Sequence, residues 1–96
     1  MTHYADSFGY QWRKHPGTQW DPVENERVFR EKTGLTPEDI EGKRVLDVGC
    51  GTGRFLATAL RLGAERVVGI DAALGSIQSA KENLGNRAYL SQADIL

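Results

Sequence analysis

Three glycines at alternate positions follow a carboxylate near the middle of the chain. Asp47 lies in the short apolar run 45–48, and Gly49, Gly51 and Gly53 come next. Glycine tolerates positive φ and leaves no Cβ between backbone and ligand, so such a loop can turn several N–H groups toward one point. A helix starting after the loop adds the positive end of its dipole. The neighbouring carboxylate suits a ligand that carries a cation better than one that carries a pyrophosphate.

The glycine spacing distinguishes between classes of nucleotide-binding protein. The dinucleotide fingerprint G-x-G-x-x-G requires its third glycine at position 54, where this chain has Arg54. A nicotinamide-binding Rossmann fragment is therefore an alternative that Arg54 disfavours. A tight βα turn that binds no ligand is another interpretation of the glycines, and a remnant that binds nothing because its half-sheet does not fold alone is a further alternative.

A second carboxylate ends the next apolar run. Asp71 follows residues 66–70 and comes about 20 residues after the glycine loop, the separation at which dinucleotide folds place a ribose-binding acid. A carboxylate can accept from both vicinal hydroxyls of a ribose. The other role that Asp fills well here is a helix N-cap. With the glycine loop upstream, ribose binding is the favoured interpretation.

The run 42–53, Gly-Lys-Arg-Val-Leu-Asp-Val-Gly-Cys-Gly-Thr-Gly, resembles motif I of the class I S-adenosylmethionine-dependent methyltransferases, an acidic residue followed by G-x-G-x-G. The resemblance implies S-adenosylmethionine as the cofactor and methyl transfer as the activity. It places Asp47 near the cofactor's ammonium and the loop glycines along its methionine moiety. It further implies that Asp71 holds the ribose, that Ala72 packs on adenine, and that Asp94 and the N–H of Ile95 bind the adenine edge.

Strands and helices alternate around these residues. Apolar runs predict strands at 45–48, 66–70 and 87–91, and helices between them with inward faces formed by Phe55, Leu56, Ala59 and Leu62 and by Ala73, Ile77, Ala80 and Leu84. This order predicts an α/β fold, the N-terminal half (β1-αA-β2-αB-β3) of a three-layer Rossmann-like parallel sheet in strand order 3-2-1. The first strand has the composition of a strand buried on both faces, yet this order puts it at an edge.

The region before the first strand is predicted to be an arm with helices. Asp21, Pro22 and Glu24 indicate a helix start, with Val28 and Phe29 facing inward and Gly34 at the end. The predicted division is 1–42 for the N-terminal arm and helices and 43–96 for the N-terminal half of a cofactor-binding domain. We expect the chain to be the N-terminal portion of a longer methyltransferase, with the acceptor-binding residues and any catalytic base in the remainder.

Composition narrows the class of partners. The 96 residues carry a formal net charge of -1, which gives no electrostatic signal for nucleic acid or an anionic membrane. The sequence contains one cysteine, no long apolar run and no metal-ligand spacing, so we expect a cytoplasmic protein without a metal. Residues 8–12, Phe-Gly-Tyr-Gln-Trp, resemble a leader found in family members that act on small metabolites and sugars. A small-molecule acceptor is the resulting expectation, with the oligomeric state open.

Three loop residues have further predicted roles. Arg54 is interpreted as a surface residue at a helix start, and Cys50 as a small residue that fills space in the loop. Gly53, like Gly51, is expected to reject alanine because a methyl group would obstruct the cofactor rather than the fold.

Overall fold

The computed structural model describes residues 21–94. The helices are α1 (Pro22–Thr33), α2 (Pro37–Ile40), α3 (Arg54–Arg61) and α4 (Leu74–Leu84), with a 3₁₀ turn at Gly85–Arg87. The strands are β1 (Arg44–Val48), β2 (Arg66–Asp71) and β3 (Tyr89–Gln92). The order confirms the predicted β-α-β-α-β arrangement after two N-terminal helices. The aromatic residues 8–12 lie outside the described residues.

Helix α1 has the ends that its sequence predicts. The Asp21 side chain accepts from the N–H groups of Val23 and Glu24, and Gly34 ends the helix at φ +72° while its N–H donates to the Arg30 carbonyl. These bonds satisfy backbone groups that a helix otherwise leaves unpaired at its ends. The inward face is formed by Asn25 and Phe29. The prediction for Phe29 is confirmed, whereas Val28 is only half-buried.

The three strands form one parallel sheet in the order β1-β2-β3. Arg44 pairs with Arg66 and Val48 with Ile70, while Val68 of β2 pairs with Tyr89 on its other side. Parallel neighbours require a crossover, and α3 and α4 provide the two crossovers. The predicted edge position of β1 is confirmed. β3 begins two residues later than predicted, because Arg87 belongs to the 3₁₀ turn and its Nε donates to the Leu84 carbonyl.

One face of the sheet carries the core. Val67 of β2 is fully buried in a cluster with residues of both crossover helices and of the two N-terminal helices. The cluster consists of Phe29, Ile40, Cys50, Leu56, Ala59, Val67, Ile77 and Leu84. Helix α1 packs on α3, where the rings of Phe29 and Phe55 meet edge to face with centroids 5.4 Å apart.

The opposite face is open among the described residues. Leu46 and Val48 of β1 are 59% and 38% exposed, and Tyr89 of β3 is 63% exposed. Strand residues alternate between faces, so these side chains point away from Val67 and its cluster. The expectation from its composition that β1 is buried on both faces is therefore wrong for residues 21–94: Val45 and Asp47 are half-buried on the core face, and Leu46 and Val48 are exposed on the other.

The inward faces of the crossover helices agree with prediction except at one residue. In α3 the predicted face is confirmed, since Leu56 and Ala59 are buried and the half-buried Phe55 and Leu62 pack against the core cluster. In α4 the buried residues include Ile77, Ala80 and Leu84, whereas Ala73 is an exposed N-cap.

Candidate cofactor site

The glycine loop is held by β2 at its start. The N–H groups of Gly49 and Cys50 both donate to the Ile70 carbonyl, at 2.6 and 3.1 Å. The Gly51 N–H donates to the Asp71 carboxylate at 2.9 Å. Gly49, Gly51 and Gly53 all have positive φ, so the conformation predicted from their spacing is confirmed. The loop thus lies across the carboxyl ends of β1 and β2, where open α/β sheets bind ligands.

Helix α4 holds the other end of the loop. The Asn83 side-chain amide donates to the Thr52 carbonyl at 3.2 Å. A Cβ on Gly53 would lie 2.7 Å from Cδ1 of Leu84 and 3.4 Å from the Ala80 methyl carbon, and Gly53 has φ +93°. The expectation that Gly53 rejects alanine only on account of the cofactor is therefore wrong. A side chain at position 53 would be strained at this φ and would have to displace the Leu84 side chain, whatever the loop binds.

Asp71 is 5% exposed, and its carboxylate is engaged by the backbone. Oδ2 accepts from Gly51 as described, and Oδ1 accepts from the Ala73 N–H at 2.8 Å. Helix α4 starts at Leu74 with Ala73 as its N-cap, so the alternative role of Asp71 as N-cap is wrong. Each carboxylate oxygen has a second lone pair, so two ribose hydroxyls could still donate to it. The ribose role stays a prediction.

Asp47 stands in a different environment at the same sheet edge. Within residues 21–94 its half-buried carboxyl group has no hydrogen bond or ion pair. Burial, with the charge of Asp71 as the second cause, raises the pKa of Asp47 to about 6. Both effects disfavour the ionised form. A cation placed between the two carboxylates would favour the ionised form of Asp47, which fits the ammonium group predicted for this position.

The residues predicted to contact adenine lie along the same edge. Ala72 is exposed, and its carbonyl accepts from the Gln92 side chain at 3.1 Å. The N–H of Ala93 donates to the Asp71 carbonyl at 3.0 Å, which brings the exposed Asp94 to the end of β2. Ile95 lies outside the described residues. The structure therefore brings together seven of the eight predicted residues, namely Asp47, Gly49, Gly51, Gly53, Asp71, Ala72 and Asp94.

The interpretation of Arg54 as a surface residue is wrong. Arg54 is 4% exposed, and its Nε donates to Oδ1 of Asn25 at 2.6 Å. Asn25 is equally buried and lies on α1. Sequence reasoning missed this pair because the partner is distant in the chain and neither residue type is usually buried.

Cys50 has the structural role that was predicted for it. It is 6% exposed, and burial, together with the charges of Asp47 and Asp71, raises the pKa of its thiol to about 12. The thiolate is the nucleophilic form of cysteine, so the raised pKa disfavours a nucleophilic role for Cys50.

Gly69, in the middle of β2, has a packing role that the sequence reasoning missed. A Cβ there would lie 2.6 Å from Cδ1 of Leu56, 2.8 Å from Sγ of Cys50 and 2.9 Å from Cδ2 of Leu90. The absence of a side chain therefore lets α3, the glycine loop and β3 approach β2 together. A glycine inside a strand run is the sequence signal for such a close approach.

Comparison with known proteins identifies the family. The profile of the family described as "Methyltransferase domain" matches residues 45–96, more than half of the chain. The chain belongs to this methyltransferase domain family, as the motif resemblance predicted. Within residues 21–94 no helix is long and apolar enough to span a membrane, and no group of three His, Cys, Asp or Glu residues could hold a metal ion.

Individual relatives match only part of their own length. The ribosomal protein L11 methyltransferase of Alteromonas mediterranea is 44% identical over 57 residues, which are 59% of this chain and 20% of that protein. The protein of the same name from Vibrio campbellii is 37% identical over 57 residues, 59% of this chain and 19% of that protein. The chain thus matches about a fifth of the length of these relatives.

A solved structure shows the same fold. The S-adenosylmethionine dependent methyltransferase from Mesorhizobium loti is 28% identical, with a TM-score of 0.59 over 71% of this chain and 30% of that one. This likeness confirms the partial Rossmann-like α/β fold.

Proposed function

We propose that the chain is the S-adenosylmethionine-binding part of a methyltransferase. The observation that carries the proposal is the pair of carboxylates beside the glycine loop. Asp71 is engaged by the loop backbone, while Asp47 has a raised pKa and no described partner. A cationic ligand is the group that such an arrangement accommodates best. The Methyltransferase domain match supports the proposal, as does the name of the Mesorhizobium relative.

The residues of the chain would bind and orient the cofactor. When bound, S-adenosylmethionine supplies a methyl group on a sulfonium centre that is already activated for transfer. The proposed roles are Asp47 at the ammonium, the loop glycines along the methionine moiety and Asp71 at the ribose. Ala72, Asp94 and Ile95 would contact adenine. The chain's contribution is then to hold the methyl group in a fixed direction, since positioning accounts for much of the rate enhancement in such reactions.

The acceptor that we propose is a protein. The Alteromonas and Vibrio relatives are named for ribosomal protein L11, whereas a small-molecule acceptor rested on residues 8–12, outside the described part. The match to these relatives spans about a fifth of their length, so the acceptor site proposed here extends beyond the matched region.

Isothermal titration tests the cofactor. We expect the chain to bind S-adenosylhomocysteine, which retains the ammonium, more tightly than NADH. Asp47→Asn should weaken that binding by about tenfold, whereas Glu38→Gln, which removes the same charge from the exposed surface of α2, should not change it. Tighter binding of NADH would favour the nicotinamide alternative. A chain that binds neither compound and shows no cooperative melt by circular dichroism would favour the remnant that does not fold alone.

Methyl transfer by the full-length protein tests the acceptor. We expect label from methyl-labelled S-adenosylmethionine to enter purified ribosomal protein L11 rather than a small-metabolite extract. Label found only in the extract would restore the small-molecule acceptor without affecting the cofactor proposal.

A further inference from the structure

A buried contact joins α1 to the exit of the glycine loop. Arg54 directly follows Gly53 and is the one buried Lys or Arg within residues 21–94. Its Nε donates to Oδ1 of Asn25, which lies 29 residues earlier and is also buried. A guanidinium leaves water at a large cost unless acceptors take its N–H groups. The position of Arg54 is therefore tied to the position of α1.

A second contact lies beside the first. Phe29, one helical turn after Asn25, packs its ring edge to face on Phe55, with centroids 5.4 Å apart and an interplanar angle of 84°. Residues four apart lie on one helix face, so Asn25 and Phe29 contact α3 together. Their partners are the first two residues of α3. The loop thus leaves the sheet edge into a helix start that α1 fixes at two successive positions.

The same two helices also meet through an exposed contact farther along α3. Arg61, the last residue of α3, has one guanidinium nitrogen 2.8 Å from a carboxylate oxygen of Glu26. The Arg61 side chain is 46% exposed, and exposed ion pairs contribute little to stability. This pair joins the same elements at the other end of α3 from the glycine loop, so it provides a matched control.

We propose that the Asn25–Arg54 hydrogen bond is a positioning contact for the glycine loop, which makes α1 a functional part of the cofactor site. The binding consequence rests on the proposed function. A shift of Arg54 moves Gly53, and with it the loop N–H groups whose placement relative to Asp47 and Asp71 defines the site. Asn25 would then influence cofactor affinity without touching the cofactor.

The variant Asn25→Leu tests the proposal, because leucine is similar in size to asparagine but offers no acceptor. Arg61→Gln, which removes the exposed ion pair, is the matched control. Amide hydrogen exchange of residues 51–55 is measured in the ligand-free full chain, and S-adenosylhomocysteine affinity by calorimetry below the melting temperature of each variant. In Asn25→Leu we expect exchange to be about tenfold faster and affinity about tenfold weaker, a size typical of indirect coupling. Arg61→Gln should match the parent in both. Asn25→Asp, which keeps the acceptor, should retain the parent's loop protection and affinity.

The other outcomes test the positioning contact separately from the proposed cofactor. A lower melting temperature in Asn25→Leu with unchanged loop exchange and affinity would make the contact purely structural and overturn the inference. Loss of protection in Asn25→Asp would overturn it as well. The parent chain could also fail to bind S-adenosylhomocysteine while loop exchange is still faster in Asn25→Leu. That result would support the positioning contact and reject the proposed cofactor. If Asn25→Leu does not fold, Asn25→Ser, whose hydroxyl is too short to reach Nε, carries the same expectations.

Discussion

Asp47 and Asp71 lie at the carboxyl ends of neighbouring strands, yet their carboxyl groups differ in burial and in hydrogen bonding. Asp71 is almost fully buried and accepts two backbone N–H groups. Asp47 is half-buried, has no described hydrogen-bond partner, and has a pKa raised to about 6 by burial and by Asp71. The comparison indicates that Asp71 stabilises the glycine loop. The charge of Asp47, in contrast, is unfavourable in the free protein, and a cationic ligand could offset that cost.

Removing Asp71 should have the largest effect. Asp71→Ala leaves the Gly51 and Ala73 N–H groups without their acceptor, so we expect the free energy of unfolding to fall by about 3 kcal/mol. Urea denaturation at pH 7 measures the change. Asp71→Asn retains one acceptor oxygen and should lose less. Equal stability of Asp71→Ala and the parent would remove the distinction between the two acids.

Neutralising Asp47 should raise the free energy of unfolding rather than lower it. Its native pKa lies above the ordinary value near 3.8, so the stability that its protonated form contributes is present at low pH and is lost as pH rises through about 6. Asp47→Asn, which cannot ionise, should therefore be more stable than the parent by about 2 kcal/mol at pH 7 and equally stable below pH 4. Glu38→Gln serves as the exposed control. A variant less stable than the parent at pH 7 would contradict the electrostatic account.

Ligand binding should depend on the same ionisation. The ammonium of S-adenosylhomocysteine favours ionised Asp47, so we expect affinity to fall about tenfold between pH 7 and pH 5. Calorimetry at several pH values measures it. In Asp47→Asn the affinity should be lower and flat over this range. A parallel decline in that variant would assign the pH dependence to another group.

Asp94 should contribute least. It is exposed and has a single adenine amine to bind, so Asp94→Ala should weaken S-adenosylhomocysteine binding by less than about 1 kcal/mol and by less than Asp71→Ala does. The same titrations measure both variants. A larger loss for Asp94→Ala would mean that the roles of the two residues were assigned wrongly.

Local patterns in the sequence predict most of the fold. The apolar runs locate the three strands, the glycines give positive φ in the loop, and the parallel order follows from alternating strands and helices. These features depend on neighbours in the chain. The same patterns place the predicted site residues at one sheet edge, since the carboxyl ends of parallel strands lie together.

The errors concern contacts between distant segments. Arg54 is buried because Asn25, on another helix, supplies an acceptor. Gly53 is restricted by Leu84 of α4, and Gly69 by atoms of α3, the loop and β3. The residues adjacent to these positions do not identify such partners, although a glycine inside a strand run, as at Gly69, indicates that a close approach exists. The open face of β1 is a further case, because strand composition indicates potential for burial and not which elements cover it.

The sheet register also has a consequence for the order of events in folding. Arg44 pairs with Arg66 and Val68 with Tyr89, so each pairing must close a segment of about twenty residues that contains its own helix. Such non-local pairing is slower than hairpin formation. The two acids come together only when β1 docks on β2, so the repulsion between them arises at that step. Acidic conditions that protonate Asp47 should therefore speed the docking of β1 on β2. We expect the chain to refold faster at pH 5 than at pH 7 for this reason.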